Sequence, residues 1–124
     1  MLVLIDSDVL IEVLRGRDEA IVEKWLALAA SSDTTLCSPV SIAELWQGAR
    51  PREEASLTVL FDAMLCVPIN AQMGRLAGDC MRRFSKSHRL ELGDALIGAT
   101  AILYGANLWS RNRKHYPMPE IKFY

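Results

Sequence analysis

The stretch that decides the fold is Leu2-Val3-Leu4-Ile5-Asp6-Ser7-Asp8-Val9-Leu10. Four consecutive apolar residues end abruptly at a carboxylate. A continuous apolar run of this length suits a strand buried on both faces, as in a parallel sheet. After it, Ser7 or Asp8 can cap a helix, with Val9, Leu10, Val13 and Leu14 apolar at helical spacing and Gly16 as a stop. Asp6 is thereby predicted at the carboxyl end of a strand, on the edge where open parallel sheets gather their ligands.

Further along, helices and strands alternate. Asp18 and Glu19 open a helix whose apolar positions Ile21, Trp25, Leu26 and Leu28 run to about Ser31. Thr35 to Ser38 reads as a short strand, ended by Pro39. Ser41 can cap the next helix, which runs to Gly48. Pro51 begins another, with Glu53 and Glu54 complementing its dipole, reaching about Leu65. Val67 to Ile69 reads as a strand, Asn70 as the cap of a long helix to Phe84, and Ser85 to Arg89 as a basic loop. A helix around Asp94 runs to Tyr104, with Gly105 as its C-cap. Asn107 to Ser110 and Ile121 to Phe123 read as the last strands. The pattern predicts an α/β fold, a three-layer α/β/α sandwich around a mainly parallel sheet. With 124 residues, one domain over 1–124 is expected.

Composition narrows the function. Hydrophobic residues make up 51% and charged residues 23%, and the net charge is -1. This is a globular chain without the basic excess of a duplex-gripping protein, so any nucleic acid is held by a local patch or through metal. Cys37, Cys66 and Cys80 are odd in number and lack CxxC spacing, which suits reduced core cysteines. No basic segment precedes the first apolar run, and the longest uncharged stretch, Ala95 to Ser110, is short of a membrane span. A cytoplasmic protein without membrane contact is expected.

Three acids sit among apolar neighbours: Asp6, Glu44 and Asp94. A buried charge is costly unless paired or bound to metal. Each alone has a structural explanation: Asp6 and Asp94 as helix caps, Glu44 as partner of a core arginine. Together they form a set that repels itself and calls for a cation. Oxygen-only ligands suit Mg²⁺ or Mn²⁺. His88 and His115 lack zinc-site spacing and read as surface residues. A carboxylate-held divalent ion suits phosphodiester hydrolysis.

These residues carry a resemblance. Leu4-Ile5-Asp6-Ser7-Asp8-Val9-Leu10-Ile11 resembles the opening motif of PIN-domain nucleases. Ser38 to Ala49, carrying Glu44, resembles the second motif; Asp94 to Ala101 the third; Leu108 to Tyr116 the fourth. The order is that of the family, and within it the chain resembles VapC-type toxins of bacterial VapBC toxin–antitoxin pairs. The resemblance implies a Mg²⁺- or Mn²⁺-dependent endoribonuclease acting on RNA, a homodimer, and a cognate antitoxin that blocks the site. It makes Asp6, Glu44 and Asp94 the metal-holding acids, with Ser110 and Asn112 completing the catalytic set. Asn112 stands where many relatives carry Asp, so the site has less negative charge to hold a second ion. Asp8 is read as a supporting acid or an N-cap.

Arg111, Arg113, Lys114 and Arg89 are candidates for holding RNA phosphates, with a solvated face as the plain alternative. Arg82, Arg83, Lys86 and His88 extend the second basic cluster, and Arg15 can face the site or an antitoxin acid. Trp25, Leu57, Leu60 and Phe61 can serve an antitoxin groove, a dimer seam or the core. Ala95, Gly98, Ala99 and Ala101 are expected to let a helix approach the sheet closely. Two other functions fit parts of the pattern: a non-catalytic PIN-like binding module, favoured by Asn112, and a haloacid-dehalogenase-type phosphatase using Asp6 and Asp8, which leaves Glu44 without a role.

Overall fold

The computed structural model describes residues 1–124. Its elements are β1 (Leu2–Ile5), α1 (Ser7–Arg15), α2 (Glu19–Ala29), β2 (Thr34–Cys37), α3 (Pro39–Gln47), α4 (Glu54–Asp62), β3 (Leu65–Cys66), α5 (Ala71–Phe84), α6 (Leu92–Tyr104), β4 (Asn107–Trp109) and β5 (Lys122–Phe123). Short 3₁₀ turns occupy Pro51–Glu53 and Arg113–His115. All five strands are parallel, in the order β3-β2-β1-β4-β5. The expected three-layer α/β/α sandwich is the observed fold.

Alternation along the strands splits the core in two. Leu4, Leu36 and Leu108 stand side by side in register and face α5 and α6, packing with Met73, Ala77, Ala95 and Ala99. Val3, Ile5, Cys37 and Trp109 face the other way, onto Val9, Leu10, Leu28, Leu45 and Leu57 of α1 to α4. β1 is central, and Val3, Leu4 and Ile5 are fully buried. This is why its sequence is uniformly apolar rather than alternating.

The chain first moves outward from β1 to β2 and β3, with α1 to α4 on one face. It then crosses the other face through α5 and α6 and enters β4, on the far side of β1. The order therefore reverses between β1 and β4. Open parallel sheets leave a crevice at that switch point, outside the carboxyl ends of the two strands. Asp6 and Ser110 are the residues that follow those ends.

Several local expectations are corrected. Asp6 itself, extended at φ -74° and ψ 156°, caps α1. Ser38 caps α3, its Oγ accepting the Val40 N–H at 3.1 Å; Pro39 takes the first helical position, where its fixed φ is already helical. Ser41 is instead buried inside the helix. The segment from Pro51 starts as a 3₁₀ turn, and α4 ends at Asp62. β3 comes two residues earlier than Val67–Ile69. The Val67 N–H makes the last bond of the ladder, to the Cys37 carbonyl, and Pro68 has no N–H with which to continue it. Asp18 caps α2 and Asn70 caps α5, each accepting a backbone N–H. Gly16 and Gly105 end α1 and α6 in the left-handed conformation that their lack of Cβ permits.

Candidate active site

The crevice is built around Asp6, whose residue surface is 7% exposed. Its Oδ1 accepts the Ser7 N–H at 2.8 Å, the capping bond of α1. Its Oδ2 accepts the Ser110 hydroxyl at 2.8 Å. The Asp6 N–H donates to the Trp109 carbonyl at 2.9 Å, so both backbone and side chain tie the ends of β1 and β4 together. Ser110 Oγ also accepts the Asn112 N–H at 3.1 Å, which holds the turn after β4. Asp8, two residues on, accepts the Arg111 N–H at 3.2 Å. Two acids from one helix start thus secure the 110–112 turn.

Glu44 reaches the same crevice from α3. Its Oε1 accepts from the Ser7 hydroxyl at 3.0 Å, and Ser41 Oγ lies 2.8 Å from Ser7 Oγ. A hydroxyl carries one proton, so Ser7 serving Glu44 leaves Ser41 to donate to Ser7. The buried Ser41 thus supports the opening motif from the next helix.

Asp94 lies in the first turn of α6, where the helix dipole favours an anion. Even so, its carboxyl is pushed up to about 6. Burial is the largest cause, followed by the negative charge of Asp6; the smaller push of Glu44 adds to these, against a downward pull from His115. Asp8 is raised as well, by burial and then by Asp6. The carboxylates therefore share one field and disfavour one another's charge. No three His, Cys, Asp or Glu side chains close on a common point. The donors are nevertheless all oxygen, mutually repelling and without a cation between them, a set that fits a hard divalent ion.

Two residues of the crevice have contacts that the sequence does not announce: His115, legible only as part of the basic cluster after the fourth motif or as a surface residue, and Tyr116. His115 Nδ1 lies 3.5 Å from Asp94 Oδ2, and its Nε2 lies 3.0 Å from Asn112 Nδ2. It bridges Asp94 and Asn112 instead of standing free on the surface. The spacing carried a signal: residues three apart eclipse in a 3₁₀ turn. Tyr116 is 3% exposed, and its hydroxyl is buried without a hydrogen-bond partner. Burial first, then Asp6 and Asp94, keep that phenol protonated far beyond neutral pH. Tyr116 had been noted only as the last residue of the fourth motif.

The predicted catalytic set Asp6, Glu44, Asp94, Ser110 and Asn112 is thus gathered at one edge. The cations are more divided. Arg111 is ion-paired to Glu12 at 3.2 Å and to Asp18 at 3.7 Å, with Arg17 also on Glu12 at 2.9 Å. Arg113 stacks over Phe123, its guanidinium 4.9 Å from the ring centre. Arg82 pairs with Asp79, and Arg83 with Glu120. Lys114 and Arg89 are exposed and unpaired; Arg89 sits at φ 48°, just before the segment that enters α6. Arg15 lies over Glu53, beside a small cleft formed with Ser7, Asp8, Ile11 and Glu44. The largest depression is elsewhere, between Glu12, Arg17, Asp18, Glu23 and Arg111, where opposite charges already face one another.

Of the small residues of α6, Gly98 acts differently from expectation, whereas Ala95 and Ala99 pack against the sheet as expected. A Cβ on Gly98 would collide with Met118 and come 3.2 Å from Ile121 Cδ1, so Gly98 admits the 116–121 segment more than the strands. Ala95 and Ala99 are fully buried in the core on the α5–α6 side of the sheet.

Comparison with known proteins decides the family, because the PIN domain model matches residues 3–121. The chain belongs to the PIN domain family. Among curated PIN relatives, ribonuclease VapC10 of Mycobacterium tuberculosis is 41% identical over 120 residues, covering 96% of this chain and 89% of that protein. Ribonuclease VapC19 of the same species is 34% identical over 121 residues, covering 96% of both. Among solved structures, VapBC2 from Rickettsia felis, bound to a DNA fragment from its promoter, superposes with a TM-score of 0.86. That match covers 100% of this chain and 98% of that one at 17% identity, so it speaks for the fold alone. A toxin–antitoxin complex from Klebsiella pneumoniae gives a TM-score of 0.77 at 25% identity, covering 96% and 94%. No helix of this PIN domain is long and apolar enough to cross a membrane.

Proposed function

We propose that this protein is a Mg²⁺- or Mn²⁺-dependent endoribonuclease, a single PIN domain acting as the toxin of a VapBC-type pair in the cytoplasm. The observation that carries the reading is the gathering of acids at the switch point of the sheet, where burial first, then Asp6 and to a smaller degree Glu44, raise Asp94. Like charges kept together at such a site have their use once a cation arrives. Relatives named ribonucleases over nearly the whole chain support the same substrate class.

Asp6, Glu44 and Asp94 are the residues to hold the ion. When bound, a divalent cation supplies charge to polarise a phosphodiester and to lower the pKa of water. The chain's own groups do the rest. Ser110 fixes the Asp6 carboxylate. Asn112 and His115 steady Asp94 at the mouth. Lys114, Arg113 and Arg89 attract the phosphates that flank the scissile bond. Arg111, held by Glu12 and Asp18, acts mainly as a strut for the turn. Asn112 brings no charge, so one firmly held ion is expected, and a second only with substrate.

The antitoxin is assigned to the apolar cleft lined by Val13, Leu14, Trp25, Val59, Leu60 and Ala63, between α1, α2 and α4. An amphipathic segment suits such a cleft. Leu57 is fully buried and belongs to the core, while Val59 is 70% exposed. A homodimer is proposed on the family resemblance.

The decisive experiment is RNA cleavage by the purified protein with Mg²⁺, Mn²⁺ or EDTA, wild type against Asp6→Asn. Cleavage only with metal, lost in the variant, is expected. Cleavage in EDTA, or cleavage unaffected by Asp6→Asn, sinks the reading. Co-expression with the product of an adjacent short open reading frame tests the antitoxin arm: growth arrest by the protein alone, relieved by the partner, is expected.

A further inference from the structure

Asn112 stands between the two groups that face the metal acids. Its backbone N–H donates to Ser110 Oγ at 3.1 Å, and its side-chain Nδ2 lies 3.0 Å from His115 Nε2. Beyond these partners, the Ser110 hydroxyl donates to Asp6 Oδ2 at 2.8 Å, and His115 Nδ1 faces Asp94 Oδ2 at 3.5 Å. One residue thus lies behind a contact to each of two acids.

The direction of the protons follows from the chemistry of the groups. A hydroxyl has one proton to give, and so has a neutral imidazole. Ser110 Oγ accepts from Asn112, and its own proton goes forward to Asp6. The Asn112 amide nitrogen only donates, so Nε2 is the acceptor. The proton of the ring is then on Nδ1, the nitrogen that faces Asp94. An aspartate in place of Asn112 would bring only acceptors and could not set the ring this way. The His115 side chain is 59% exposed, and an exposed ring turns freely unless it is held. Asn112 holds it twice, since the His115 N–H also donates to the Asn112 carbonyl at 3.1 Å.

We infer that Asn112 is a positioning residue that acts on the metal site through His115: it fixes the Nδ1–H tautomer and so aims a donor at the Asp94 carboxylate, while its backbone keeps the Ser110 hydroxyl aimed at Asp6. The inference rests on the metal-nuclease reading above. It changes the part played by the uncharged residue of the fourth motif: Asn112 is no ligand itself and orients the acids that are. Groups that orient a metal-holding side chain in this way contribute substantially to metal affinity.

The test is a cycle of Asn112→Ala, His115→Ala and the two together, with Mn²⁺ affinity read by titration calorimetry. Each single change is expected to weaken Mn²⁺ binding about 10-fold, with the melting temperature of the metal-free protein level. The double variant is expected to bind no more weakly than His115→Ala alone, because Asn112 then has nothing to act through. Losses that multiply give Asn112 its own hold on the ion and overturn the proposal, as does unchanged affinity in either single variant; both results leave the nuclease reading intact. A wild-type protein that binds no Mn²⁺ overturns both. A second measurement reads the ring directly, with ¹⁵N-labelled histidine in the metal-free protein and His88→Gln to assign the signals. In alkaline buffer the His115 ring is expected as the Nδ1–H tautomer in wild type, and Asn112→Ala is expected to bring in the Nε2–H form. An Nε2–H ring in wild type, or a ring indifferent to Asn112→Ala, overturns the proposal.

Discussion

The Ser110 hydroxyl donates to Oδ2 of Asp6 at 2.8 Å, joining residues 104 positions apart. Both residues are nearly enclosed, so the bond is made away from competing water. Ser110→Ala leaves Oδ2 with one donor fewer and removes the acceptor of the Asn112 N–H. The expected loss is about 1–2 kcal/mol in urea unfolding of the metal-free protein. Divalent-ion affinity should fall as well. Ser110→Thr, which keeps the hydroxyl, should retain most of both.

Asp94 sets the pH behaviour. Its folded value, about 6, lies above the ordinary 3.8. The folded state therefore binds this proton more tightly, and the metal-free protein is stabilised by Asp94 as pH falls from 6 towards 4. As pH rises through 6 the charge forms and that stabilisation is lost. Asp94→Asn should accordingly be more stable than wild type at pH 7 without metal, by of order 2 kcal/mol. The advantage should shrink steadily at pH 5 and below. Cation binding runs the other way, tightening as pH rises through 6. Thermal melts of both proteins at pH 5 and 7, with EDTA or Mg²⁺, check each sign; a constant difference between the two proteins speaks against it.

Gly98 sits where α6 meets the 116–121 segment. Gly98→Ala gains about 1 kcal/mol of helix propensity. Its new methyl group meets the ends of Met118 and Ile121, and overpacking of this kind costs about 1–3 kcal/mol. The Met118 tip can swing aside, so a net loss of roughly 1 kcal/mol is expected, measured by denaturant unfolding. Gly98→Val, with no such escape, should fold poorly or release Tyr116 from its place.

Arg111 and Lys114 should separate by phenotype. Arg111→Ala breaks the pairs with Glu12 and Asp18, costing up to about 1 kcal/mol of stability, and loosens the turn. Lys114→Ala should leave stability within about 0.5 kcal/mol. Instead it should reduce the slope of log affinity for single-stranded RNA against log salt by about 0.7. Filter binding over a salt series measures both; an equal change of slope in the two variants would assign Arg111 to the RNA as well.

Much of this was legible in the chain. Leu2 to Ile5 disclosed a strand buried on both faces, and with it the place of Asp6. Asp94 and Glu44 stood out because acids among apolar neighbours need a reason. The PIN resemblance, read from four motifs in order, is borne out by the family match over residues 3–121. What was not legible depended on contacts between distant segments. Ser41 looked like a cap because serine often is one, but its partner is Ser7, 34 residues away. β3 was displaced because Leu65 and Cys66 lie on an exposed edge, where hydrophobic pattern says little about pairing. Arg111 resembled its basic neighbours in sequence; only the packing of α1 and α2 against the turn shows Glu12 and Asp18 waiting for it. Tyr116 figures in the sequence only as the last residue of the fourth motif, since a sequence does not say what surrounds a hydroxyl.

The central place of β1 also has a consequence in time. Asp6 leaves the ribosome 104 residues ahead of Ser110, whose hydroxyl, with the Trp109 carbonyl, anchors it beyond α1. Pairings so far apart in sequence form late. A nascent chain that has emerged only through α5 carries Asp6 and Glu44 with β1 lacking a neighbour on one side. The cell therefore meets the assembled crevice only after β4 and the turn that follows it have been made. An unfinished copy, stalled or cut short before Trp109, lacks both of the bonds that β4 and its turn give to Asp6.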